Sequence, residues 1–201
     1  MKKSPELYKG KEVYQERWRK SLRSGDYDLI SSNLLESQVK FFYNIYCNFI
    51  LEQIKKKFPK GELKKLRILE IGCGRGTASI FLSKKLKCEV LGIDFSELSI
   101  EIANKNAKKH NVNANFFIAD LFDKDSIINN PLSKTNTFDV IISLGVLEHI
   151  ELIESCFKIH NELLVSNGLF CAMIVPEKKS VQDNFRFVNR LLFEISNFFN
   201  A

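Results

Sequence analysis

The chain has 201 residues, of which 45% are hydrophobic, and this length and composition suit one globular domain with its own core. The formal net charge of +6 is modest, so a lysine-rich solvated surface is the simplest interpretation, with an acidic substrate or a membrane surface as alternatives. No apolar run has the length of a membrane span, no secretory signal is evident, and five scattered cysteines form no CxxC pair, which together favour a reduced, cytoplasmic protein.

The first segment, residues 1–62, is predicted to be a helical extension that covers the domain as a lid. Residues 12–22 predict a short helix. Asn33 and Glu36 have the spacing of a capping box, and apolar side chains then recur at helical spacing over residues 35–58. The Pro-Lys-Gly sequence that follows is expected to end this second helix.

The second segment, residues 63–176, alternates between strands and helices. The predicted strands are 67–71, 89–93, 115–118, 138–143 and 169–175, and the predicted helices are 77–86, 97–110 and 150–164. Residues 129–136 are polar and are expected to form a loop. Strict alternation predicts an α/β fold with right-handed crossovers and a doubly wound, mostly parallel sheet covered by helices on both faces. Ligands of such sheets bind beyond the carboxyl ends of the strands.

The first predicted strand ends in an acid and three alternating glycines. Glu70 is followed by Gly72, Gly74 and Gly76, which predict a tight turn between strand and helix. Such a turn lets a nucleotide approach the backbone with no side chain in the way. Cys73, between the glycines, is interpreted as a small residue that the turn tolerates rather than as a reactive thiol.

The next strands also end in polar residues. Asp94 follows the second strand, where an acid is suited to accept hydrogen bonds from both ribose hydroxyls. The alternative role for this acid is a helix N-cap, which Ser96 can fill itself. Asp120 and Leu121 follow the third strand and predict contacts with the amine and the ring of a base, the alternative being a simply acidic loop. Ser143 ends the fourth strand and lines the space where chemistry is expected.

In this order, the segments LEIGCGRG, LGIDFS, FFIADLFD, FDVIISLGVLEHI and GLFCAMIVP resemble the successive motifs of the class I S-adenosylmethionine-dependent methyltransferases. The segment SLGVLEHI is most similar to the small-molecule enzymes of the ubiquinone-biosynthesis type. The resemblance implies a Rossmann-like fold that binds S-adenosyl-L-methionine. It also implies transfer of the methyl group, by in-line displacement, to a small-molecule or lipid- or sugar-linked acceptor. Motifs typical of two groups of nucleic acid methylases are absent, so nucleic acid is not expected as the acceptor.

The resemblance further implies which residues hold the cofactor. From its methionine portion through ribose and adenine to the sulfonium, they are Glu70, Gly72, Cys73, Gly74, Gly76, Asp94, Phe95, Asp120, Leu121 and Ser143. Asp94 is implied to hold the ribose, with Phe95 flanking the adenine. Gly76 is implied to allow close packing of the following helix.

Glu148 and His149 are the candidate catalytic residues. His149 is interpreted as a general base or a substrate contact, and the alternative is a polar residue that opens a helix. In the ubiquinone-type relatives, an extra Glu three residues before this pair helps to hold a divalent metal. That position is Gly145 here, so no metal ligand is predicted.

The third segment, residues 177–201, predicts a helix that faces the core or forms a lid, with binding to membrane lipid as the alternative. The resemblance implies seven strands, and no sequence is found for strands six and seven, so the fold is expected to be incomplete or completed by a partner chain.

Two other functions remain open. The first is a non-catalytic or partner-dependent protein of the methyltransferase type that retains the cofactor pocket. The second is a nicotinamide-dependent oxidoreductase, against which the Gly-x-Gly-x-Gly spacing and Asp120 argue. No feature of the sequence indicates a particular oligomeric state.

Overall fold

A five-stranded parallel sheet forms the centre of the protein. The computed structural model describes Glu16 and residues 30–35, 37–133 and 136–174. The strands are β1 (Ile68–Ile71), β2 (Val90–Asp94), β3 (Ala114–Ile118), β4 (Phe138–Leu144) and β5 (Leu164–Met173). They lie in the order β3-β2-β1-β4-β5, and every neighbouring pair is parallel. The α/β fold predicted from the alternation of elements is therefore confirmed.

Helices cover both faces of this sheet. They are α1 (Gln38–Lys57), α2 (Thr77–Leu86), α3 (Glu97–His110), α4 (Lys124–Ile128) and α5 (Ile153–Leu163), with short 3-10 helices at Leu63–Lys65 and Leu147–His149. Strands β1 and β2 are buried along their whole length, as expected for parallel strands covered on both faces. No helix in the described ranges combines the length and the apolarity needed to cross a membrane.

The two faces of β1 belong to two different cores. Ile68 packs with α1 and α2, in a cluster that includes Ile54 and Leu82. Leu69, the next residue, packs with α5 on the opposite face, because successive side chains of a strand alternate between its faces. A third cluster joins α2, α3 and β3. The helices α1, α2 and α3 thus share one face, and α4 and α5 share the other.

The beginning of α1 differs from the prediction. Its N-cap is Ser37, whose hydroxyl accepts a hydrogen bond from the backbone N–H of Lys40 at 3.3 Å. Asn33 instead accepts from the N–H of Leu35 at 3.0 Å. The predicted capping box on Asn33 is therefore wrong, because the short Asn side chain closes a local turn before the helix begins. Glu36 lies outside the described residues.

Two connections also differ from the prediction. The polar segment expected as a loop before β4 is preceded by α4, a short helix that was not predicted from the sequence. Asp123 caps this helix by accepting a hydrogen bond from the N–H of Ser126 at 3.1 Å. Strand β5 begins at Leu164 rather than at residue 169. Asn167, with a φ of 62°, lies inside this strand, where the register with β4 shifts. The left-handed conformation of Asn167 is therefore accommodated as an irregularity within the strand.

The predictions for the ends of the chain stay predictions. The helix over residues 12–22 lies outside the described residues apart from Glu16, as does the whole segment 177–201. The three domain boundaries derived from these segments are untested for the same reason.

Candidate functional site

The candidate site lies at the carboxyl ends of β1, β2 and β4. From β1 the chain adds β2 and β3 on one side of the sheet, and then crosses back to add β4 and β5 on the other. The connections on the two sides of β1 therefore run over opposite faces. Such a switch point opens a crevice above the sheet, which is where open α/β sheets bind ligands.

The glycine turn after β1 has the backbone shape that its sequence predicts. Gly72, Gly74 and Gly76 have φ angles of 70°, 52° and 78°, in the left-handed region that other residues rarely adopt. A Cβ at Gly72 would collide with the Cγ2 of Val146, and a Cβ at Gly76 would lie 2.7 Å from the Phe116 ring. The turn is therefore held between the loop after β4 and the Phe116 side chain of β3, with no room for a side chain at Gly72 or Gly76.

Asp94 joins the end of β2 to this turn. Its side chain is buried, and one oxygen accepts a hydrogen bond from the N–H of Gly74 while the other accepts from the N–H of Ser96, both at 2.9 Å. Burial raises the pKa of Asp94, and these backbone hydrogen bonds oppose the rise. Ser96 is the N-cap of α3 and accepts from the N–H of Ser99 at 3.3 Å. The capping role is therefore filled by Ser96, and Asp94 braces the turn.

Glu70 has a contact that the sequence did not reveal. Its carboxylate is buried and accepts hydrogen bonds from the N–H of Ser79, at 2.9 Å, and from the hydroxyl of the same residue. Burial, with a smaller contribution from Asp94, raises the pKa of Glu70 to about 7 although the bonds from Ser79 oppose this rise. The carboxylate therefore ties β1 to the first turn of α2, and its contact with the methionine portion of a cofactor stays a prediction.

The residues after β3 are divided between the surface and the core. Asp120 is half-buried, and its carboxylate accepts a hydrogen bond from the N–H of Phe122 at 2.9 Å. Leu121 is buried in the same cluster as Ile127 of α4. Phe95, after β2, is half-buried. The predicted contacts of Asp120, Leu121 and Phe95 with adenine remain predictions.

The carboxyl end of β4 carries a buried hydroxyl. Ser143 is fully buried, and its Oγ has no hydrogen-bond partner among the residues that the structure describes. Gly145 follows with a φ of 69° and donates its N–H to the carbonyl of Met173 at 2.9 Å. A buried hydroxyl without a partner is costly, and the predicted contact of Ser143 with the cofactor stays a prediction.

Cys73 has the properties of a structural thiol. It is buried, and burial, with contributions from Asp94 and Glu70, raises its pKa well above the usual value. Its N–H donates to the carbonyl of Ile93 at 2.9 Å, which ties the turn to β2. Because a thiol with a raised pKa is not ionised, Cys73 is not activated as a nucleophile.

Glu148 and His149 lie together in the 3-10 helix after β4. The Glu148 side chain is 7% exposed and that of His149 is 34% exposed, and Oε1 of the first lies 4.0 Å from Nε2 of the second. The pair precedes α5, which begins at Ile153, so neither residue opens that helix. His149 is thus the more accessible member of the pair. Within the described ranges, no group of three His, Cys, Asp or Glu side chains is arranged to hold a metal ion.

Comparison with known proteins assigns the chain to a family. Residues 62–197 match a family model described as a methyltransferase domain. Because this match spans more than half of the chain, the chain belongs to the methyltransferase domain family. The resemblance stated from the five sequence motifs is thereby confirmed.

Individual relatives differ in the acceptors for which they are named. The chain is 32% identical over 144 residues to a ubiquinone biosynthesis O-methyltransferase of Pelagibacter ubique, covering 69% of this chain and 56% of the relative. It is 35% identical over 96 residues to a tRNA (uracil(54)-C(5))-methyltransferase of Pyrococcus furiosus, covering 45% of this chain and 22% of the relative. The chain thus spans about half the length of the first of these proteins, and less of the second.

The crystal structure of the cyclase SpnF has a similar fold. The TM-score is 0.62 at 15% sequence identity, over 84% of this chain and 60% of SpnF. At this level of identity the likeness concerns the fold alone.

Proposed function

We propose that this chain binds S-adenosyl-L-methionine and transfers its methyl group to a small-molecule or lipid- or sugar-linked acceptor. The observation that carries the proposal is the 2.9 Å hydrogen bond between the N–H of Gly74 and the carboxylate of Asp94. It joins a glycine turn and an acid, at the ends of neighbouring strands, in a chain of the methyltransferase domain family.

The polar groups at this edge of the sheet fit the proposed cofactor. The glycine turn leaves its backbone free of side chains where the methionine portion would lie, beside the predicted contact from Glu70. Asp94 retains acceptor lone pairs for the ribose hydroxyls, since each of its oxygens accepts one hydrogen bond from the protein. The unpartnered hydroxyl of Ser143 is suited to a polar group near the sulfonium.

When bound, S-adenosylmethionine supplies a methyl group on a sulfonium, whose leaving group is neutral. The task of the chain is therefore to hold donor and acceptor in line, because positioning of two reactants supplies much of the acceleration of such a step. His149 is the proposed base for a hydroxyl acceptor, since its side chain is partly exposed in the segment that follows β4. Buried Glu148 is proposed to orient it.

Calorimetric titration of the chain with S-adenosylhomocysteine and S-adenosylmethionine tests the binding step. We expect micromolar binding that Asp94→Ala abolishes and that Asp125→Ala retains, because Asp125 is exposed in the first turn of α4. Absence of binding by the folded wild-type chain would contradict the proposal. Tighter binding of a nicotinamide dinucleotide would favour the oxidoreductase instead.

A second candidate is cofactor binding without methyl transfer. Its basis is that the hydrogen bond between Gly74 and Asp94 joins candidate cofactor residues alone, so cofactor binding does not depend on His149. Assays with phenolic, amine and lipid-linked acceptors distinguish the two functions. Methyl transfer lost in His149→Ala, with cofactor affinity retained, supports the enzyme, whereas binding with no turnover supports the second candidate.

The cysteines support a cytoplasmic location within this proposal. All five are free, and Cys171 alone is not fully buried. Free cysteines are typical of reducing compartments.

A further inference from the structure

We propose that Asn106, on α3, is a positioning residue that holds the glycine turn in its ligand-binding shape. The identity of the ligand rests on the proposed function, whereas the bracing of the turn does not. The Asn106 side chain is fully buried, and its Nδ2 donates a hydrogen bond to the carbonyl of Arg75 at 3.0 Å. Arg75 lies between Gly74 and Gly76, so this bond reaches the centre of the turn.

Packing around Gly76 explains why α3 lies close enough for this contact. A Cβ built at Gly76 would lie 3.3 Å from the Cβ of Ala103, in addition to meeting the Phe116 ring. Asn106 follows Ala103 by three residues and therefore lies on the same face of α3. The missing side chain at Gly76 thus allows α3 to approach the turn, and Asn106 contacts the turn from that helix.

The other hydrogen bonds of the turn tie it to β2, to itself and to the start of α2, but within the described residues none of those made by its backbone N–H groups joins it to α3. The N–H of Cys73 donates to the carbonyl of Ile93, and the N–H of Gly74 donates to Asp94, so β2 holds the first half of the turn. The N–H of Gly76 donates to the carbonyl of Cys73 within the turn itself. Asn106 adds a bond from α3 to the second half, which β2 does not reach.

The unsatisfied half of the Asn106 amide argues against a role in stability alone. Its Oδ1 is buried without a hydrogen-bond partner among the described residues. A buried acceptor with no partner costs free energy, which offsets the gain from the Nδ2 bond. Replacement by a leucine of similar shape removes both groups, so the stability of the fold is expected to change less than the order of the turn.

Hydrogen exchange in the absence of ligand tests the bracing directly. In Asn106→Leu we expect the amide of Gly76 to exchange about tenfold faster, as the loss of one buried hydrogen bond implies, whereas the amides of Cys73 and Gly74, which β2 holds, change less. Amides in β1 and β4 are expected to exchange as in the wild type. The matched control is Asn104→Leu, which removes an exposed asparagine of the same helix whose bond to the Phe116 carbonyl is 3.5 Å long.

Affinity for S-adenosylhomocysteine supplies the second readout. Because the ligand must now order the turn, Asn106→Leu is expected to bind about tenfold more weakly, while Asn104→Leu binds as the wild type does. Saturating ligand should restore slow exchange in the turn of the Asn106 variant.

Unchanged exchange at the Gly76 amide, or equal acceleration throughout the sheet, would overturn the bracing role. If Asn106→Leu does not fold, Asn106→Ala removes the same donor without added bulk and carries the same expectation. If the wild-type chain does not bind S-adenosylhomocysteine, the proposed function fails, but the exchange comparison in the free protein still decides whether Asn106 braces the turn.

Discussion

The carboxylate of Asp94 contacts two elements, which are the glycine turn after β1 and the start of α3 after β2. One oxygen accepts from the glycine turn and the other from the backbone at the start of α3. The turn is therefore held in position by the protein itself. Because the turn is already ordered, a ligand that binds there does not lose affinity to the ordering of a loop.

Asp94→Asn tests this contact at the residue scale. The amide group replaces one acceptor by a donor that faces a backbone N–H, so one of the two hydrogen bonds is lost. We expect a loss of about 1–2 kcal/mol in the free energy of unfolding and at least about tenfold weaker binding of S-adenosylhomocysteine. Urea unfolding and calorimetry measure the two effects, and Asp125→Asn is the exposed control. Equal affinity in both variants would contradict the assignment.

Glu70 makes stability depend on pH. Its pKa rises from 4.5 to about 7 on folding because the carboxyl is buried, so between these values the folded chain retains a proton that the unfolded chain has released. The contribution to stability is fully present below pH 4.5 and is lost as the pH rises through about 7. Glu70→Gln removes this dependence.

We therefore expect the wild type to lose stability relative to Glu70→Gln as the pH rises from 4.5 to 7. Urea unfolding of both proteins at intervals across this range measures the difference. Parallel stability curves would show that Glu70 titrates in the folded state as it does in the unfolded chain.

The candidate site residues that directly follow predicted strands could be predicted from the sequence. The glycine turn and Asp94 follow two predicted strands, and parallel strands end at the same edge. Ser79 and Asn106 were not predicted as contacts of the site. Both lie on helices, and their contacts depend on how those helices rotate and pack, which hydrophobic periodicity does not specify to within one hydrogen bond.

At the scale of elements, an ion pair joins the starts of β1 and β4. Arg67 donates its backbone N–H and its Nε to one oxygen of Asp139, at 2.8 and 3.0 Å, and its Nη2 to the other at 3.0 Å. Burial alone would raise the pKa of Asp139, but the hydrogen bonds from Arg67 outweigh it and the pKa is lowered. The pair holds together the amino ends of β1 and β4, which are the strands on either side of the switch point.

Asp139→Asn is expected to lower the free energy of unfolding at neutral pH by about 1 kcal/mol, since the pair is partly exposed and screened by solvent. The difference from the wild type should disappear as the pH falls below 3.8, where the carboxylate becomes protonated. Urea unfolding measures both. Glu101→Gln is the control, because the side chains of Glu101 and Lys105 are both more exposed, at 51% and 52%. The same loss in that variant would argue against a special role for Asp139.

Elements were predicted well where local and tertiary signals agree. Helices α2 and α3 have the predicted bounds, because apolar periodicity and the preceding turns mark the same residues. The start of α1 and that of β5 were wrong. At α1, two polar residues four positions apart, Asn33 and Ser37, compete for the cap. At β5, pairing with β4 continues across Asn167 despite its turn-like conformation.

At the scale of the whole molecule, the proposed ligand and the fold are thermodynamically linked. A ligand that binds only the folded chain stabilises it by an amount that grows with the logarithm of the ligand concentration relative to the dissociation constant. S-adenosylhomocysteine at 100 times its dissociation constant is therefore expected to raise the free energy of unfolding by about 2.7 kcal/mol. Urea unfolding with and without ligand measures this effect. A gain of the same size in Asp94→Ala at the same concentration would contradict binding at the proposed site.

The double winding of the sheet was predictable as a whole, because alternating strands and helices admit few topologies under the rule of right-handed crossovers. The acceptor was not predictable in the same way. Cofactor residues follow strand ends at regular intervals, whereas an acceptor is recognised by side chains that no spacing rule brings together. The relatives illustrate this, since proteins named for ubiquinone biosynthesis and for tRNA match the same domain.

The most direct test of the central claim is an amide NMR titration of the isotopically labelled chain with S-adenosylhomocysteine. We expect the resonances of residues 72–76, 94–96 and 119–121 to shift together and to saturate at one dissociation constant, with the amides of β5 unaffected. Shifts confined to other parts of the sheet, or none in a folded chain at millimolar ligand, would contradict the claim.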